Sequence, residues 1–376
     1  MKKRYVNRLF KYKKPYHLEN TDMLFVKAMK ENAVFQYEKN QDIKRIYDQA
    51  LFNPYEISKM DDLIKMPFIP TLYYKHHELF SMPKKKMLVK ATSSGTSTGI
   101  RSQVGLDFRS LLRGLWMMIT LGKHHKLWSL RPTKYIIFGY QPSKKNKMGI
   151  AKTAYGFTWM APARKRTYAI EMTKQGYEVN LDRVKQALIS ASKGKAPVRT
   201  LGFPAYTYFL LKEMKAEGIK LKLPKKSLVT VGGGWKQFYT EAVDKQVFYE
   251  LVEEVLGVPS TNCVEFFGAV EHPILYVDCR HHHFHVPVYA RAIIRDVDTL
   301  EQIPNGQMGL LNLLTPMVDA TALQSVMTDD LCILHDEPCP CGEKSPWLEI
   351  IGRVGIQDIV TCAAGADALM SKGEGK

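Results

Sequence analysis

The stretch Thr92-Ser93-Ser94-Gly95-Thr96-Ser97-Thr98-Gly99 decides how the rest of the chain is read. Its two glycines free the backbone, and its hydroxyls add donors beside exposed N–H groups. Such a loop can wrap phosphate oxygens without a Walker lysine. Lys90 and Arg101 flank it and can add charge-assisted bonds. A flexible Ser/Thr/Gly linker has the same composition. Position favours the phosphate loop. Met87-Leu88-Val89 reads as a short strand leading in, and residues 107–121 read as a helix leading out, with Asp107 as its cap.

Outward from the loop, strands and helices alternate. Residues 20–50 have a helical pattern, with Thr21 and Asp22 able to cap it. Tyr135 to Gly139 is expected as a buried strand, 180–191 as a helix capped by Asn180, and Thr200 to Phe203 as the next strand. Ala205 to Ala216 is helical and Gly218 closes it; Leu228 to Val231 is a strand running into Gly232-Gly233-Gly234. A helix over 240–256 ends at Gly257. Strands dominate from 285 to 335, with a Pro-Asn-Gly turn at 304–306. Alternation up to 270 predicts α/β layers, and the strands after it predict an added β subdomain. The expected division is a helical segment over 1–85, an α/β core over 86–350 and a short tail over 351–376.

With 376 residues and 45% hydrophobic, the chain can bury a sizeable core, which excludes a disordered chain, a disulfide-stapled miniprotein and a fibrous repeat. No apolar stretch is long enough to span a membrane, and the basic start has no apolar region behind it to make a signal peptide. Six cysteines without a secretory signal point to a reducing compartment, so a cytoplasmic protein is expected. The net charge of +17 is uneven. Residues 1–226 hold 45 Lys+Arg and 16 Asp+Glu, while 227–376 hold 9 and 21. Basic clusters run over Lys2 to Lys14, Lys84 to Lys90, Lys123 to Lys147 and Lys193 to Lys226. Tyr5, Phe10, Tyr12 and Tyr16 interleave the first. These suit phosphates, peripheral contact with an anionic membrane or an acidic protein, or form a plain solvated surface. No zinc-finger spacing, RNP-type motif or helix-turn-helix signature is present, so nucleic acid is not the expected partner.

The loop resembles the phosphate loop of adenylate-forming enzymes, and four further stretches follow in that superfamily's order. Val229 to Lys236 resembles its glycine-rich adenine-side loop; Phe267-Gly268-Ala269-Val270-Glu271 its aromatic-Gly-x-Thr-Glu motif; Thr328-Asp329-Asp330-Leu331 its Thr-Gly-Asp-Leu; Gly352-Arg353 its Gly-Arg hinge. Gly-Gly-Gly-Trp-Lys (232–236) and Val-Tyr-Ala-Arg-Ala (288–292) are similar, more narrowly, to the acyl-protein synthetase (LuxE) family, over nearly all of residues 60–370. Cys339-Pro-Cys-Gly followed by Ile351-Gly-Arg also looks like the phenylacetate–CoA ligase branch.

The resemblance implies an α/β fold: the large N-terminal domain of adenylate-forming enzymes, layered sheets and helices plus a β subdomain. It implies activation of a fatty or related acid by ATP and Mg²⁺. Ser93, Ser94, Gly95, Thr96, Ser97, Thr98 and Gly99 would hold phosphates, and Glu271 would hold Mg²⁺. Asp330 would accept the ribose hydroxyls and Arg353 would contact ribose or phosphate. Gly233, Gly234 and Trp235 would approach adenine beside Phe267 and Gly268, with Phe266, Phe267 and Trp235 lining the acyl pocket. Four departures stand out: the extra Thr98, Val270 for Thr, Asp329 for Gly, and Gly355 near the expected hinge Asp. Only 23 residues follow Arg353, which implies a truncated C-terminal lid.

Acyl-protein synthetases pass the acyl group to their own cysteine near the C-terminus. Cys362, among small neighbours, holds that position, although a lone cysteine in such a stretch also suits a buried strand. The partner would be an acyl reductase (LuxC-like). Cys339 and Cys341, with Cys279 and a histidine from 281–285, have the donor types of a closed structural Zn²⁺ site, His283 being the best positional match. Two other functions compete: a phenylacetate-type acyl/aryl-CoA ligase, and a non-catalytic carrier that keeps the fold.

Overall fold

Long apolar runs are the mark of strands buried on both faces, and Thr133–Tyr140 and Val198–Gly202 sit in the middle of such a sheet. In this computed structural model, which describes residues 4–92, 102–142, 154–173, 176–233, 235 and 242–353, the sheet has seven strands. Their order is 276–277, 263–267, 228–232, 198–202, 133–140, 163–172 and 177–179. The inner five are parallel and the two edges antiparallel. Alternation sends Ile136, Phe138, Val229 and Val231 to one face, where they meet helices Leu181–Ser192, Pro204–Ala216 and Lys245–Leu256. The strand order reverses beside 133–140, which places a crevice outside the C-terminal strand ends.

The second sheet is the predicted β subdomain, ordered 284–285, 347–353, 325–335, 308–314 and 291–295. Ile69–Pro70 joins it in parallel on 325–335. The turn at 304–306 is present, with Gly306 at φ +86. A small antiparallel hairpin, Val89–Thr92 on Gln103–Leu106, makes the third sheet.

Residues 4–85 share their core with this second sheet: Leu9, Phe25 and Tyr47 belong to one cluster with Val288, Leu311 and Val326. Arg113 and Asp319 lock the junction. Both are almost completely buried, with Nη1 and Nη2 on the two carboxylate oxygens at 2.9 and 3.1 Å. Arg113 also donates to the Met317 carbonyl (2.8 Å) and to Asn7 Oδ1 (3.1 Å). A buried charge this fully satisfied is costly to half-remove, about 3–5 kcal/mol.

Predicted caps are found at Asp107, Asn180 and Gly257. Three boundaries differ. The 20–50 helix is two, Asp22–Lys39 and Gln41–Gln49, because the Asn40 side chain accepts from Asp42 and Ile43 N–H and starts the second. Thr21 does not cap with its side chain; its hydroxyl donates back to the Leu18 carbonyl (2.9 Å). The helix expected from 240 begins at Lys245, where Asp244 accepts from Gln246 N–H (2.7 Å). Among the described residues no helix is long and apolar enough to cross a membrane.

Candidate active site and metal centre

The Ser/Thr/Gly loop connects the hairpin strands whose last paired residues are Thr92 and Gln103. Ser93 to Gly99, with Gly234 and Cys362, lie outside the described residues. Ser102, at the loop's far end, is fully buried and its hydroxyl donates to Glu271 Oε1. Two stretches separated by 169 residues therefore meet where the loop returns. Glu271 itself is 6% exposed, in a tight turn after strand Cys263–Phe267. Gly268 is needed there, because a Cβ would stand 3.0 Å from the Ile274 carbonyl oxygen. Burial, and then the Glu271 charge, push the Tyr74 hydroxyl well up. Ser102 engages one carboxylate oxygen, and a carboxylate is the donor type that a hard cation such as Mg²⁺ takes.

Asp330 and Arg353 face each other across paired strands. Register irregularities at Leu331/Cys332 and Leu310/Asn312 flank Asp330, the kind of feature that re-aims side chains. Arg353 Nη2 donates to Asp329 Oδ2 (3.1 Å), and its Nε lies 3.9 Å from Asp330 Oδ1. The Thr71 hydroxyl also donates to Asp329 Oδ2 (3.0 Å). Asp329 thus positions Arg353, a role the sequence reading missed by treating it as a departure from Gly. Its signal was an extra acid directly beside the residue paired with an arginine.

Gly232 and Gly233 lie at the end of strand Leu228–Gly232. A Cβ on Gly232 would press 3.0 Å from the Phe266 carbonyl, and Gly233 has φ +87. The Trp235 ring meets Tyr208 edge-on at 5.5 Å. Phe266 stacks on Phe157 (4.6 Å) and lines a small cavity with Leu127, Met160 and Leu201. Phe267, one residue on, packs against Tyr276 and Phe284 instead, and neither it nor Trp235 lines that cavity. The room is about 20 Å³, enough for one water.

The cysteine and histidine loops meet as the resemblance implied, with one correction. Cys279, Cys339, Cys341 and His285 bring their ligand atoms within 4.8 Å of one another. His283 is not the fourth member. Its ring stacks on Trp347 (3.7 Å, 5°) and its Nδ1 touches Cys339 Sγ (3.2 Å). His285 is fully buried; its Nδ1 lies 3.0 Å from the Ser345 carbonyl, an acceptor only, so the proton sits on Nδ1 and the Nε2 lone pair points to Cys341 Sγ (3.3 Å). Backbone N–H groups of His281, Cys341 and Glu343 reach the Cys279, Cys339 and Cys341 sulfurs at 3.4, 3.5 and 3.4 Å. Those bonds favour thiolates, whereas burial alone pushes all three thiols up. Cys279 and Cys339 sulfurs are 3.7 Å apart; a tetrahedral zinc with arms of about 2.3 Å needs about 3.8 Å. The donor set fits Zn²⁺.

The family described as acyl-protein synthetase, LuxE, matches residues 9–370. The chain belongs to this family. Two relatives, each a long-chain-fatty-acid–luciferin-component ligase, come from Aliivibrio fischeri and Vibrio harveyi. They are 24% and 25% identical, covering 90% and 96% of this chain and 86% and 92% of their own length. A phenylacetate-coenzyme A ligase from Thermus thermophilus is 24% identical over 86% of this chain and 68% of its own length. Among solved structures, 2-hydroxyisobutyryl-CoA ligase in the postadenylation state with 2-HIB-AMP superposes with a TM-score of 0.66 at 13% identity, covering 91% of this chain and 70% of that one. The α/β fold is thus that of the large N-terminal domain of adenylate-forming enzymes, and as an acyl-protein synthetase the chain is a ligase. The family match spans Glu271, Asp330, Arg353, the Cys/His cluster and position 362 alike.

Proposed function

We propose that this acyl-protein synthetase activates a fatty acid with ATP and then carries the acyl group on Cys362. The observation that carries the reading is the Ser102–Glu271 bond, which ties the end of the Ser/Thr/Gly loop to the acidic motif. A carboxylate oxygen attacks the α-phosphorus of ATP, and the bond to pyrophosphate breaks. Bringing two anions together needs positioning and charge compensation more than proton transfer. Ser93 to Gly99 hold the β- and γ-phosphates through backbone N–H and hydroxyl donors. Glu271 would hold Mg²⁺, and the chemistry that ion would supply is neutralisation of the phosphate charge. Asp330 accepts the ribose hydroxyls, and Arg353, set by Asp329, binds ribose or phosphate. Gly233, Gly234 and Trp235 take the adenine, and the acyl chain enters beside Phe266.

In the second half, the Cys362 thiolate attacks the acyl carbonyl and AMP leaves. The thioester is delivered to a partner acyl reductase. Cys279, His285, Cys339 and Cys341 would hold a structural Zn²⁺, which would tie the 279–285 and 339–345 loops together. The experiment uses ATP, Mg²⁺ and radiolabelled long-chain acid with wild type and Cys362→Ala. A hydroxylamine-sensitive label on wild type, lost in the variant, is expected; a label retained in the variant removes Cys362 as carrier. The likeness to a phenylacetate-coenzyme A ligase favours one rival. AMP release that requires coenzyme A would establish it, and no acid-dependent pyrophosphate release would make the chain a non-catalytic binder.

A further inference from the structure

Between Phe108 and Ile170 the chain has 13 Lys/Arg and no Asp or Glu. Within it, helix Phe108–His124 ends with two backbone bonds, Lys126 N–H to Lys123 O (3.2 Å) and Leu127 N–H to Gly122 O (2.8 Å). Lys126 takes the left-handed conformation (φ +54) that this helix ending requires. The turn lays Trp128 against Gly122, where a Cβ would stand 2.4 Å from the indole nitrogen. Ser129 N–H then bonds the Met160 carbonyl (2.9 Å), so residues 128–131 run beside 159–162.

Side chains on these two segments divide by direction. Leu127, Phe157 and Met160 face inward and line the cavity that holds Phe266. Trp128, Leu130 and Trp159 face out, with exposures of 39%, 95% and 66%. Single exposed apolar residues need no explanation, but three on adjoining segments form a patch. Lys123, Lys126, Arg131, Arg164 and Lys165, within about six residues of these three along the chain, are exposed too. The first basic cluster differs. Its Phe10 stacks on Tyr289 (4.9 Å), Tyr16 is 2% exposed with its hydroxyl on His125 Nε2 (2.6 Å), and Tyr5 and Tyr12 pack on the core. Phe10, Tyr16, Tyr5 and Tyr12 are packing residues, and among the described residues of that cluster none is an exposed large apolar side chain.

We propose that Trp128, Leu130 and Trp159, with these cations, form a docking surface for an anionic lipid bilayer on the segments that line the cavity beside Phe266. The inference rests on the fatty-acid reading above. Indole rings and an aliphatic tip enter the headgroup–acyl boundary while lysines and arginines stay among phosphates. Fatty acids partition into that boundary, and the residues next along the chain line the cavity. Charge selects the anionic surface: neutral lipid offers nothing to five cations without a local counter-acid in their own sequence.

The test is cosedimentation of the full chain with phosphatidylcholine vesicles, with and without phosphatidylglycerol. Binding is expected only with the anionic lipid, and weaker at high salt. Leu130→Asp with Trp159→Asp reduces it about tenfold or more, and Lys126→Ala and Arg131→Ala each reduce it about fivefold. Neutralising Lys11, Lys13 and Lys14 leaves it within about twofold. Circular dichroism and pyrophosphate release with a short soluble acid check that the Leu130/Trp159 variant is folded, and both are expected unchanged. No vesicle binding, equal binding to neutral lipid, or dependence on Lys11 to Lys14 in place of Leu130 and Trp159 overturns the proposal. Binding is read without turnover. A chain that binds vesicles but activates no acid therefore breaks the proposed function and leaves the lipid surface standing.

Discussion

The Cys/His centre and the proposed nucleotide side of the molecule are built on opposite principles. Four donors of the centre stand within 4.8 Å, and local turns aim them: backbone N–H groups hold three sulfurs and a carbonyl fixes the fourth donor's lone pair. Groups on the nucleotide side come from distant stretches and are already paired with one another. Ser102 holds Glu271, and Asp329 holds Arg353. The first arrangement is closed around a position for an ion; in the proposed function the second receives its ligand at groups already held by neighbours. Substitutions in the centre should therefore alter stability and metal content, while those on the nucleotide side alter rate.

The comparison is broken most severely at Glu271. Glu271→Gln keeps an acceptor for Ser102 but removes the charge, and acid-dependent pyrophosphate release should fall about 10²–10³-fold with the urea midpoint little changed. A lost fold with lost activity would make Glu271 structural. In the centre, His285→Ala should remove stoichiometric zinc from purified protein and lower the unfolding midpoint, whereas His283→Ala should retain the metal. The reverse pattern would reinstate His283.

A third prediction uses pH. His272, beside Glu271, is fully buried, its Nε2 lies 3.1 Å from the Tyr276 hydroxyl, and burial lowers its pKa from 6.5 to about 3. Below 6.5 the unfolded chain binds a proton that the folded chain does not. The stability contributed is thus complete above that pH and is lost as pH falls toward about 3. Wild type should lose urea stability more steeply over this range than His272→Gln; parallel losses would contradict it. The smallest effect is expected at Asp329. Asp329→Asn removes a half-exposed partner of Arg353, and pyrophosphate release should fall only about threefold, a cost of under about 1 kcal/mol.

Much of this was legible in the sequence because the signals are local. Asp107 and Asn180 cap the helices they precede, Gly257 ends one, and the strand expected to lead into the Ser/Thr/Gly loop is present as half of a hairpin. What escaped depends on register and burial. His283 is the better positional match in the sequence until the Phe284–His285 strand pairs with Leu348 and Trp347, which gives its imidazole to the indole and that of His285 to Ser345. Asp329 looked like a lost glycine until strand pairing placed Arg353 beside it. The sequence reading noted aromatics only in the first basic cluster, and burial shows that those feed the core, whereas Trp128 and Trp159 face out.

Fatty-acid-dependent exchange of labelled pyrophosphate into ATP tests the central claim most directly, because it reports adenylate formation before any thioester. Wild type and Cys362→Ala should both exchange label when a long-chain acid is added, and only wild type should then retain the acyl group. Exchange absent from wild type with every acid tested would contradict the account.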